Sequence, residues 1–150
     1  MAILEEIQKE LMSALKSGDS VQSDVLRLLI SALKDARIAK AEALTEDEEL
    51  RVVFSESKKI KDSIEQYENA GRDDLAQREK TQLEYVEKYL PTQASEEEIE
   101  KAVDEAIKNL HATGMQDMGK VMGAVMPSLQ GRADGGLINQ IVSKKLSSKS

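Results

Sequence analysis

A single histidine, His111, no cysteine, and a late set of cations that includes Lys120, Arg132, Lys144 and Lys145 are the side chains from which this 150-residue chain could build chemistry. Without cysteine, a thiolate nucleophile, a disulfide and a zinc–thiolate site are excluded. His111 closes an apolar helical period, a place where an imidazole can meet free carbonyls rather than serve a Ser-His-Asp set. The pairs Ser55–Lys58 and Ser57–Lys61 stand three and four residues apart, in mid-helix and on a face expected to be exposed, with no partner to activate a serine. Carboxylates are plentiful, but at helical spacing they read as surface ion-pair partners, not as a metal cluster. The residues give no nucleophile, general acid–base pair, metal site or cofactor site, so the chain reads as non-catalytic by itself. What remains is cationic. Lys120, Arg132, Lys144 and Lys145 could neutralise phosphates. No aromatic lies beyond Tyr89, so such contacts would follow RNA backbone and shape without base stacking.

These cations run through and just past "GKVMGAVMPSLQGRADGGLINQIV", Gly119–Val142, which holds five of the eight glycines. A P-loop would need a lysine followed by Ser or Thr and a preceding strand; Val121 follows Lys120, and no strand pattern precedes it. A dinucleotide fingerprint lacks its sheet as well. The remaining reading is steric. Gly119 and Gly123 lie four apart and share a helix face, and each costs about 1 kcal/mol of helix propensity against alanine. Close approach of another helix or of a partner's backbone would offset that cost, and Gly131 joins them as a close-approach position. The ring of Pro127 would clash with the carbonyl of Gly123, so this helix must kink or stop near Met126.

The elements that position these residues are helical. Ile3, Ile7, Leu11 and Leu15 recur on one face until Gly18, a left-handed stop. Asp19 or Ser20 caps a second helix reaching about Ala43. Thr45 and Glu48 form a capping box for the third, and Gly71 ends it. Asp73 caps the fourth, which Pro91 closes. Ser95 and Glu98 make a second capping box, opening a fifth helix that ends at His111 and Gly114. Asp117 caps the sixth and Asp134 the seventh. No alternating β pattern competes. The expected fold is all-α, a four-helix N-terminal domain over 1–91 followed by a three-helix C-terminal domain over 92–150. Charge divides along the chain. Net charge is −7 overall, and residues 106–150 carry six Lys/Arg against two acids. The bulk is acidic and the tail mildly basic, an asymmetry that can mark a nucleic-acid-facing end. No apolar run approaches the ~20 residues of a membrane span, and the charged start is unlike a secretory signal. A cytoplasmic protein with neither membrane nor DNA as partner is expected.

Three stretches carry a family resemblance. "DMGKVMGAVMPSLQGRADGGLINQIVSKKL" closely resembles the C-terminal motif of the GatB/YqeY family, and "GRDDLAQREKTQLEYVEKYLPTQASEEEIEKAV" resembles its central segment. "LMSALKSGDSVQSDVLRLLISALKDARI" resembles the start of stand-alone YqeY-like proteins. The resemblance implies an all-α fold with a small three-helix tail. In larger relatives this module ends the B subunit of glutamine-dependent tRNA amidotransferases, and the tail contacts the tRNA body. Possible partners are therefore tRNA and an amidotransferase or other protein. The family's carbon–nitrogen ligase activity, with glutamine as amido donor, goes with a kinase-like domain that binds ATP and magnesium, for which 150 residues leave no room. Matched positions are Gly119, Lys120, Gly123, Arg132, Ala133 and Asp134, with Lys120 and Arg132 implied as phosphate contacts. The acidic N-terminal part repels the same phosphates. The competing reading is a protein–protein adaptor that docks its Gly119/Gly123 face without RNA.

Overall fold

Asp19, Thr45, Ser95 and Asp134 each set a side-chain oxygen on the free N–H groups that open a helix, accepting from Gln22, Glu48, Glu98 and Gly136 at 3.0–3.2 Å. These caps start four of the seven α-helices in the computed structural model, which describes residues 2–149. The helices are α1 (Ile3–Ser17), α2 (Ser20–Lys40), α3 (Glu46–Asn69), α4 (Asp73–Glu87), α5 (Glu96–Leu110), α6 (Met118–Val125) and α7 (Gly135–Ser147). Two short 3-10 turns flank α6, at Met115–Asp117 and Met126–Leu129, and no strand occurs among the described residues.

The chain divides into two units, Met1–Pro91 and Thr92–Ser150. In the first, α1 to α4 enclose an aliphatic core of Ile7, Leu26, Leu29, Leu33, Val53 and Val86, all fully buried. The buried stripe of α1 is Ile3, Ile7 and Ala14, not the Ile3–Leu15 line expected. Leu15 is left 50% exposed, while its neighbour Ala14 is buried. α2 ends at Lys40, earlier than expected, since Ala41 takes a left-handed conformation (φ 64°) and returns its N–H to Arg37 and Ile38. Arg72, not Asp73, stands at the N-cap of α4; Asp73 falls inside the first turn, where its charge meets the positive end of the helix.

Glu49 has a role that a solvent-exposed reading of the carboxylates misses. It is buried, and its two oxygens accept the backbone N–H groups of Ile3 and Leu4 at 3.4 and 3.1 Å. A carboxylate from α3 thus caps α1 across the fold. Ser57 is buried, where the sequence leads one to expect an exposed face, and its hydroxyl donates to the Phe54 carbonyl at 2.6 Å.

In the second unit, Ile99, Val103 and Ile107 of α5 meet Val121 and Val125 of α6, Leu129, and Ile138, Val142 and Leu146 of α7 in one core. α6 stops at Val125 and tightens into a 3-10 turn that carries Pro127 in its first turn, the stop near Met126 that the ring requires. Val121, Val125 and Leu129 nevertheless stay on one buried line through the change of pitch.

Candidate nucleic-acid interface

Arg132 sits in the loop before α7. Its Nε donates to the Thr92 carbonyl at 2.8 Å and its Nη2 to Glu98 Oε2 at 2.6 Å. The Arg132 carbonyl in turn accepts from Ala94 at 2.8 Å, and Gln93 Nε2 donates to the Gly131 carbonyl at 2.9 Å. Residues 92–98 and 131–132 are therefore stitched together by four bonds, with Arg132 at the centre. This explains why Ser95–Glu98 does not close as a capping box. Ser95 accepts from the Glu98 N–H, but the Glu98 carboxylate takes the guanidinium, a charge-assisted partner stronger than a backbone amide.

The remaining cations fall into two kinds. Lys145 lies 2.9 Å from Asp104 Oδ1 and is mostly covered. Lys120 and Lys144 are exposed and make no ion pair among the described residues. Lys144 borders a groove between α5 and α7 that it shares with Glu96, Glu100, Leu137 and Lys145. The structure thus engages two of the four expected phosphate contacts, Arg132 and Lys145, with carboxylates of α5 and leaves the other two open. No local signal announces that partition, because Glu98 and Asp104 lie 34 and 41 positions from the cations they hold.

The three glycines also part company. Among the described residues, apart from chain neighbours and the backbone of their own helix, no heavy atom lies within 4 Å of where a Cβ would stand at Gly119 or Gly123, and both are exposed. The close approach expected of them is not made by another element among the described residues. Gly131 is buried and adopts φ 72°, a left-handed backbone that a side chain would strain.

Asp134 caps α7, as its place before two glycines suggests. Asp117 does not cap α6 with its side chain: it precedes the helix in a 3-10 turn, and its Oδ2 accepts the Thr113 N–H at 2.9 Å, closing the bend that Gly114 begins. His111 ends α5 through its backbone. It takes φ 53°, and its N–H reaches the carbonyls of Ile107 and Lys108, so the main chain rather than the imidazole meets the helix end. Among the described residues no three His, Asp or Glu side chains are grouped to hold a metal ion, and no helix is long and apolar enough to cross a membrane.

Residues 4–146 match the model of the Yqey-like protein family, and the chain belongs to that family. It is 30% identical over 147 residues to the altered inheritance of mitochondria protein 41, mitochondrial, of Pyrenophora tritici-repentis, covering 96% of this chain and 78% of that one. It is also 30% identical over 131 residues to the E subunit of glutamyl-tRNA(Gln) amidotransferase from Thermococcus gammatolerans, covering 85% of this chain but only 20% of that protein. The corresponding E subunit from Aeropyrum pernix is 43% identical over 67 residues, 42% of this chain and 10% of that protein. These amidotransferase relatives are E subunits, where the sequence resemblance points to the B subunit.

Proposed function

We propose that this chain is a non-catalytic accessory module that contacts the tRNA body through its second unit, alone or beside an amidotransferase. Lys120 and Lys144 carry the reading: two exposed ammonium groups without intramolecular carboxylate partners among the described residues, in a stretch, residues 106–150, that carries six Lys/Arg against two acids. Ammonium groups in that state can exchange counterions with a phosphate backbone at little internal cost. The kinship with the E subunit of a glutamyl-tRNA(Gln) amidotransferase supports tRNA as the polyanion. Ligase chemistry is not assigned to these residues, since the chain spans only a fifth of that relative. We also read the two units as separately folded domains meeting at Pro91–Thr92, and the site of action as the cytoplasm, or the matrix of an organelle with its own tRNA.

Affinity purification of the tagged chain from cells, with and without RNase, tests the reading. Recovery of tRNA, and of any amidotransferase proteins only while RNA is intact, is expected. Protein partners recovered equally after RNase would favour the second reading, an adaptor whose docking face is the Cβ-free surface at Gly119 and Gly123. In that case Gly123→Leu abolishes capture of those partners while the chain remains folded.

A further inference from the structure

Arg132 and Lys145 are occupied by carboxylates of one helix, Glu98 and Asp104 of α5. Glu96, Glu100 and Asp104 follow at i, i+4 spacing along α5 and so share a stripe. Glu96 and Glu100 line the groove whose other wall carries Lys144 and Lys145. The acidic stripe thus runs beside the basic end of α7, and Glu98 holds the cation of the preceding loop.

We propose that α5 is an internal stand-in for a polyanion: Glu98 and Asp104 fill the places that backbone phosphates would take on Arg132 and Lys145, and a nucleic acid gains those two cations only by displacing them. The inference rests on the RNA-contact reading above and assigns its regulation. The carboxylate side chains are 50% and 61% exposed, so each pair is weak enough to be exchanged by a ligand that presents many charges at once. A single phosphate would not offset the loss of both partners. Arg132 is also prepared for exchange, because its Nε keeps the Thr92 carbonyl while Nη2 changes partner. First contact then falls to Lys120 and Lys144, and the gated cations follow.

The test uses the full chain with two probes, unfractionated tRNA and heparin, a sulfated polysaccharide. Glu98→Gln, Asp104→Asn and their combination are compared with Glu97→Gln plus Glu105→Gln, which removes two charges from exposed α5 residues without an ion pair among the described residues. Each gate variant is expected to tighten heparin binding at low salt by about two- to fivefold, and the pair multiplicatively. The control should gain less than either single variant. An equal gain in the control, or no gain in the gate variants, overturns the proposal. Heparin gains with no tRNA binding by any variant would sustain the gate and sink the RNA reading; tRNA binding without gains would do the reverse. If Glu98→Gln disturbs folding by circular dichroism, Asp104→Asn carries the test, since it leaves the Arg132 bonds intact.

Discussion

At the scale of single residues, carboxylates decide more than cations. The Glu49 oxygens are the partners of two N–H groups at the start of α1. Glu49→Ala leaves that helix end unsatisfied and is expected to cost about 1.5–3 kcal/mol in urea unfolding; a change within about 0.5 kcal/mol, the range of ordinary surface substitutions, would contradict this role. Glu48 acts nearby. The Lys40 ammonium, then the Thr45 backbone and hydroxyl, lower its carboxyl from 4.5 to about 2. A carboxyl held down on folding contributes stability above its unfolded value and loses it as pH falls through the folded one. The stability difference between the native chain and Glu48→Gln should therefore shrink from pH 4.5 to about 2. A difference that stays constant with pH would show that the Lys40 bond adds nothing. Tyr89 is pushed upward, first by burial and then by its bond to Glu10, so its hydroxyl remains a donor throughout ordinary pH.

At the scale of elements, the helices were legible because their punctuation is local. Thr45 and Glu48 close the expected box, Gly18 and Gly71 turn left-handed at helix ends, and Pro127 halts α6 where its ring would collide with the preceding turn. Signals that need a distant partner were not legible. Nothing near Glu98 in sequence announces Arg132, and nothing near Glu49 announces the start of α1. Composition around Asp117 fitted a cap, yet the side chain is used to close the bend before the helix. The glycines separate by the same criterion. Gly123 lies within α6 with open space where a Cβ would go, so Gly123→Ala should stabilise the second unit by about 0.5–1 kcal/mol. Gly131→Ala should destabilise it by about 1–2 kcal/mol, since φ 72° brings a Cβ against the next carbonyl. Thermal unfolding of the two variants should move in opposite directions; the same sign for both would refute the distinction. His111→Gly should raise stability by about 1 kcal/mol, because only the backbone of His111 serves the helix end.

At the scale of the whole molecule, the charge balance sets what the chain can hold. A net charge of −7 opposes any polyanion, and the positive balance of residues 106–150 is partly taken up by Glu98 and Asp104. Association with RNA should therefore be weak, strongly salt-dependent, and led by the two lysines that remain open. Filter binding of the full chain to unfractionated tRNA, titrated from low to moderate salt, tests this most directly. The native chain should bind at low salt, and Lys120→Glu with Lys144→Glu should weaken binding and flatten the log–log salt slope by about one for each lysine. No binding at low salt, or binding and slope unchanged in the double variant, would contradict the account.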